Sequence, residues 1–322
     1  MKKIKLFFSF ILIFSIATIS PILFTKDITT AQAASSIYIN DKSFTLDIDH
    51  YKTIRIKGTT KKATWKSSNS KVASVSSGGK VVAKTPGTTT ITANVSGQKI
   101  TCKVTVIGIS KKYLTTTPGK TISLTIVGTK SKGKWSSSNE SIVSVDSKGK
   151  ITTKAPGNAT ITAYVDGKEI TSKVTVVGIN YNAYTLELGG WTGYVKTLAI
   201  SNPTSKITWS SSNKSIATVT SSGKVTAKGT GTATITASVS GLKLTSKITV
   251  LKMSTKEFTL KKSNTKKLKI NGTTSKITWS SNKNSVATVS SDGTVTPKAA
   301  GKAIIIGYVN GIEVTSTVTV VD

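Results

Sequence analysis

Four tryptophans, Trp65, Trp135, Trp209 and Trp279, recur at intervals of 70, 74 and 70 residues, and everything downstream of each keeps step with it. Ten residues on stands Val75, Val145, Val219 or Val289; fourteen on, Gly79, Gly149, Gly223 or Gly293. The series continues with Gly87, Gly157, Gly231 and Gly301, then Ile91, Ile161, Ile235 and Ile305. It closes with the glycines 97, 167, 241 and 311 and the valines 106, 176, 250 and 320. Length varies only ahead of the tryptophan, where the third copy carries extra residues. A fixed period of this kind means one structural unit used four times, so the fold problem reduces to a stretch of roughly 70 residues.

Within the unit the hydrophobic period is two. Ile91, Ala93 and Val95 alternate with Thr90, Thr92 and Asn94, and Ile100, Cys102, Val104 and Val106 alternate with Thr101, Lys103 and Thr105. That alternation marks half-buried antiparallel strands. Between the two runs lie Ser96-Gly97, Asp166-Gly167, Ser240-Gly241 and Asn310-Gly311, which suit two-residue hairpins whose central residues take positive φ. Pro86-Gly87 and Pro156-Gly157 read as the central pair of a type II turn. About seven strands follow for the first unit: 37–46 (broken near Asp41), 52–57, 63–67, 71–76, 80–84, 88–95 and 98–107. Seven short strands with frequent turns predict a small β-sandwich, hence an all-β chain of four tandem sandwiches.

The run Trp209-Ser-Ser-Ser-Asn213, with Ile216-Ala-Thr-Val219, Gly223-Lys-Val-Thr-Ala-Lys228 and Gly231-Thr-Ala-Thr-Ile-Thr-Ala237, resembles the bacterial immunoglobulin-like domain, group 2, of the intimin and invasin kind. The pattern covers essentially all of residues 35–322, four times over. The resemblance implies immunoglobulin-like sandwiches and the role of stalk or spacer in a bacterial surface protein, with no catalytic site carried over. The fourth copy reads Trp279-Ser-Ser-Asn282-Lys283, one serine short before its asparagine.

Residues 1–33 have the form of a signal peptide. Lys2, Lys3 and Lys5 precede an apolar stretch at 6–24, and Ala31-Gln32-Ala33 supplies a small-x-small cleavage pattern, placing the mature start at Ala34. An uncleaved anchor is the alternative, since 19 residues nearly span a bilayer. The units are then 34–108, 109–178, 179–251 and 252–322. Val106-Ile-Gly-Ile109 and Val176-Val-Gly-Ile179 leave no spacer between neighbours, so the expectation is an extended, monomeric array of docked units.

Composition limits the chemistry. One histidine (His50) and one cysteine (Cys102) cannot build a four-ligand Cys/His zinc site or an internal disulfide, and 13 acidic residues leave little for a carboxylate-based centre. His50 stands beside Asp47 and Asp49, yet no G-x-S-x-G elbow surrounds any serine. The sequence therefore predicts no enzyme, no cofactor and no metal. Cys102 takes the place of Ser172, Ser246 and Ser316 on an inward strand phase and reads as a small buried residue. The repeated tryptophans read as structural core. Trp191 has no counterpart in the other copies; with Tyr194 it lies in the glycine-flanked run 188–194, where an aromatic either stacks on a sugar ring or folds back on its own unit.

Charge is the remaining feature. Lysine and arginine total 45, of which only Arg55 is arginine, and the formal net charge is +32, or +29 once residues 1–33 are removed with their four lysines and one aspartate. The excess is spread over all four units. Lysine is a hydrated point charge without arginine's planar fork, which argues against a specific nucleic-acid reader. Attraction to anionic cell-wall or extracellular polysaccharide fits the pattern, for a secreted or cell-surface protein with a structural or adhesive role. A carbohydrate-binding module acting beside a separately encoded hydrolase is the alternative, and a host surface is a further possible partner. Lysines that merely keep strand faces soluble and unaggregated are the plain counter-reading.

Overall fold

The computed structural model describes residues 36–189 and 194–322. In the first unit, strands β1 (Tyr38–Ile39), β2 (Ser43–Asp47), β3 (Tyr51–Thr53), β4 (Ile56–Lys57), β5 (Thr64–Ser67), β6 (Ala73–Val75), β7 (Lys80–Ala83), β8 (Gly87–Val95) and β9 (Gln98–Ile109) form two facing sheets. One has the order β2-β9-β8-β5, the other β3-β7-β6, and β1 pairs with β4 in a short ribbon. The other three units repeat this arrangement, and among the described residues there is no helix.

Two predicted strands are split for the same reason. The first breaks after Ile39, so that β1 serves the ribbon and β2 lies parallel to β9. The second breaks at Ile54-Arg55, where the Ile54 N–H donates to the Gly79 carbonyl at 3.0 Å before the chain turns to the ribbon. Changing sheets lets one short run close both sides of a small barrel-like end.

The hairpin β8–β9 pairs from Gly87↔Val106 to Val95↔Gln98. Its turn has φ of 51° at Ser96 and 91° at Gly97, both positive, as the hairpin expectation requires. The type II reading of Pro86-Gly87 is corrected. Gly87 and Gly157 have φ of 148° and 154°, far from the value near +80° of such a turn, and each opens a strand instead. A Cβ would crowd Val72 at Gly87 and collide with Ile142 at Gly157.

Each unit holds one apolar core. Ile54, Val81, Ile91, Cys102 and Val104 are fully buried in the first, with Trp65 half-buried against them. Trp135, Trp209 and Trp279 pack the same way on their own cores. The glycine fourteen residues beyond each tryptophan is fixed by this packing. A Cβ on Gly149 would lie 2.5 Å from the Leu124 carbonyl oxygen and 2.6 Å from the Trp135 ring, and φ there is +82°.

The cores are not self-contained. Ile107, at the end of the first unit's last strand, is fully buried among Ala163, Val165 and Ile170 of the second. Val177 enters the third unit against Ala237, Val239 and Leu244, and Leu251 enters the fourth. The backbone makes the same passage: β9 continues to pair Gly108 with Val127 and Ile109 with Ile126, and the strand Leu242–Met253 pairs with Ile270–Asn271. At the middle junction the strand resumes after Val177 as Gly178–Ile179, paired with Ile200–Ser201.

Candidate functional site

The motif that repeats most visibly is occupied with internal bonds. Ser67 Oγ donates to the Ala73 carbonyl at 2.7 Å, Ser68 Oγ accepts the Thr90 N–H at 2.9 Å, and Asn69 Oδ1 accepts the Lys71 N–H at 3.1 Å. Together they turn the chain from β5 in one sheet to β6 in the other. The second and third units repeat these bonds with Ser137, Ser138, Asn139 and Ser211, Ser212, Asn213. In the fourth, Asn282 stands at the second serine position, and its Oδ1 accepts the Ile304 N–H at 2.7 Å. The apparent missing serine is thus a substitution in register that keeps the bond.

Sequence reasoning offered Trp191 and Tyr194 as ligand contacts. Trp191 lies outside the described residues. Tyr194 is exposed, with its carbonyl accepting the Ala227 N–H at 2.8 Å. Nearby, Tyr181 and Tyr184 meet edge to face with centroids 5.5 Å apart. The Lys196 ammonium sits 4.2 Å and 4.4 Å from their ring centroids. Its hydrogen bond to Tyr181 raises the lysine pKa above its ordinary value. Lys196 was not picked out from the sequence. A signal existed: Phe44 with Lys52, and Phe258 with Lys266, stand eight residues apart and also bring ammonium over ring.

His50 Nδ1, in the turn after β2, lies 2.5 Å from a carboxylate oxygen of Asp47, and both residues line a cleft of about 220 Å³ between the first two units. Ile48, Ile107, Ile109 and Ile170 form its apolar wall. Cys102 is buried, and desolvation, with Asp41 adding to it, pushes the thiol pKa up to about 11. A thiol held protonated is a poor nucleophile or metal ligand. Among the described residues no three His, Cys, Asp or Glu side chains are grouped so that they could hold a metal ion.

Lysines dominate the outer faces. Lys103, Lys173 and Lys247 occupy one position on the last strand of three successive units, each exposed and flanked by threonine. Among the described residues, lysine ion pairs are few: Lys52–Asp41, Lys112–Asp49, Lys262–Asp322 and Lys267–Asp292.

Tandem immunoglobulin-like sandwiches joined by shared strands, with basic outer faces, define a class of multidomain β-repeat protein. The chain belongs to the bacterial Ig-like domain (group 2) family, whose model matches residues 28–106, 103–176, 173–250 and 247–320. It is similar to ice-binding protein 1 of Shewanella frigidimarina, 27% identical over 307 residues, which take in 82% of this chain and 34% of the relative. The chain thus spans about a third of that relative's length. Among solved structures, domains 1–6 of the surface layer protein SbsC match at 17% identity and a TM-score of 0.21, covering 90% of this chain and 55% of that one. Invasin, a bacterial integrin-binding protein, matches at 15% identity and 0.27, covering 80% and 71%. The family assignment rests on the repeat-by-repeat match, since superpositions at such scores carry no weight.

Proposed function

We propose that the protein is a secreted or cell-surface structural and adhesive array, its four units bounded at 34–108, 109–178, 179–251 and 252–322, held to anionic wall or matrix polymers by its lysines. The observation that carries this reading is the excess of unpaired positive charge on every unit, recurring at one repeat position as Lys103, Lys173 and Lys247 in the first three. Each lysine near an anionic surface contributes up to about 1 kcal/mol, and the attraction decays over about 8 Å at physiological salt. Several weak contacts on one chain reinforce each other through high effective concentration. Removing units one at a time should weaken retention on cells steeply, with no unit indispensable, and high salt should release the intact protein. Retention through molar salt, with release by detergent, would point instead to an uncleaved anchor at residues 6–24.

A second reading, a carbohydrate-binding module, is favoured by Tyr181, Tyr184 and the exposed Tyr194, which are close in sequence to Trp191. On that reading, Trp191→Ala or Tyr194→Ala abolishes binding in a glycan screen while leaving the melting temperature unchanged.

A further inference from the structure

The first long strand and the last strand of every unit lie side by side and parallel. Ser43–Asp47 pairs with β9 from Ser43↔Lys103 to Asp47↔Ile107. Tyr113–Thr116 pairs with Lys168–Val176, Ala183–Glu187 with Leu242–Met253, and Glu257–Lys261 with Ile312–Val321. Bonds outside each ladder close it at both ends. Lys103 N–H donates to the Lys42 carbonyl at 2.9 Å, and Ile48 N–H to the Ile107 carbonyl at 3.1 Å. The matching pairs are Lys173 to Lys112 and Val177 to Thr116, Lys247 to Asn182 and Leu188 to Leu251, then Thr317 to Lys256 and Lys262 to Val321.

Parallel pairing has a mechanical consequence. The two strands start at the same end of the sandwich, so the chain enters the first strand at one end and leaves the last strand at the other. Tension on the chain ends drags the two strands in opposite directions along their common axis. Every bond of the ladder is then loaded at once. Had the pair been antiparallel, entry and exit would share one end, and the bonds would open singly. Apart from the short ribbons at the junctions, the remaining strands, including the whole β3-β7-β6 sheet, stand off the load line.

The junctions complete the path. Strand Gln98–Ile109 runs from the ladder of the first unit into the ribbon of the second, and Leu242–Met253 does the same between the third and fourth. Load leaving one ladder passes to the next unit along the same strand, with no slack loop between.

We infer that the array is a tension-bearing tether, in which four shear ladders in series resist extension of the chain. This goes beyond retention by charge and does not depend on which polymer is bound.

The test is single-molecule pulling in two geometries at one loading rate, in a Cys102→Ser background so that attachment is confined to introduced handles. Residues 34–322 are first held by their two ends. Four discrete ruptures of similar force are expected, each releasing up to about 250 Å for the roughly 70 residues of a unit. Handles are then placed by Thr255→Cys, two residues ahead of Glu257–Lys261, and Glu313→Cys, near the start of Ile312–Val321, so that the ladder beginning at Glu257↔Thr317 opens from one end. That opening is expected at a several-fold lower force, with the melting temperature of the handled protein unchanged. Because forced unfolding reports the unfolding barrier, equilibrium stability does not mask the comparison. Equal forces in the two geometries, or extension from the ends without discrete ruptures, overturns the inference. No polymer is present in the measurement, so its failure is separate from failure of the charge-retention reading.

Discussion

The Lys112 ammonium lies 3.1 Å from the Asp49 carboxylate and so ties the second unit to the first across the junction. Both side chains are more than half exposed, and their hydrogen bond is the main cause that raises the lysine pKa. The lysine's share of the stabilisation is present at neutral pH and fades as alkali titrates the lysine. Exposed pairs contribute little, so Lys112→Ala should move the melting temperature scarcely at all.

The junction is held instead by Ile107, and replacing it should be severe. Ile107→Asp places a charge among Ala163, Val165 and Ile170 and should destabilise by several kcal/mol. Calorimetry should show the second unit melting earlier, although residue 107 belongs by sequence to the first.

Three buried hydroxyls make no hydrogen bond among the described residues: Ser172, Ser246 and Ser316. An orphaned buried hydroxyl costs more than the packing that its oxygen supplies. Ser172→Ala should stabilise the second unit by about 1 kcal/mol in denaturant titration. A loss of similar size would mean that a water fills the partner role.

Cys102, with its pKa near 11, should resist alkylation in the folded protein at pH 8. Ionisation alone slows the reaction about a hundredfold relative to an ordinary thiol, and burial adds to this. Reaction in denaturant should be fast. The sign for stability also follows: folding favours the protonated thiol, so this contribution is present at neutral pH but shifts against the folded state above the ordinary thiol pKa. Rapid labelling of native protein would place the thiol at the surface.

Acid should spare one carboxylate longest. Lys267, then Ser290 and Thr294, donate hydrogen bonds to Asp292 and hold its pKa well below the usual carboxylate range. A depressed pKa stabilises the fold above the unfolded value near 3.9, and the contribution is lost as pH falls through the folded value. Carboxyl-resolved NMR at pH 3 should find Asp292 ionised. Finding it half protonated near pH 4 would contradict the geometry.

The expected extended shape is open to scattering. For residues 34–322 a compact globule would have a radius of gyration of about 19 Å, and docked units in a line should exceed this clearly.

The candidate site was partly legible in the sequence. Tyr194 stood out because it shares with Trp191, which has no counterpart in the other copies, the glycine-flanked run 188–194, and the structure leaves it exposed. Lys196 did not, because its position over Tyr181 and Tyr184 joins residues 15 and 12 apart across an insertion that breaks the repeat register. The serines and asparagine after each tryptophan announced a family, yet their work, bridging two sheets by bonds to Ala73 and Thr90, depends on strands that arrive later in the chain.

Local rules were sufficient wherever the partners are close in sequence. Alternation assigned Ile91, Ala93 and Val95 to the core face, and Ser96-Gly97 dictated a turn with two positive φ values, because strand period and backbone sterics act over a few residues. Tertiary structure alone decided that the first strand changes sheets, that Gly87 opens a strand, and that Ile107 completes the core of the unit after its own. Those outcomes turn on which distant segment is available to bury a side chain or accept a hydrogen bond. Ile107 meets Val165 and Ile170 only after a further sandwich has folded around it, and nothing in its immediate sequence distinguishes an end of one unit from the beginning of the next.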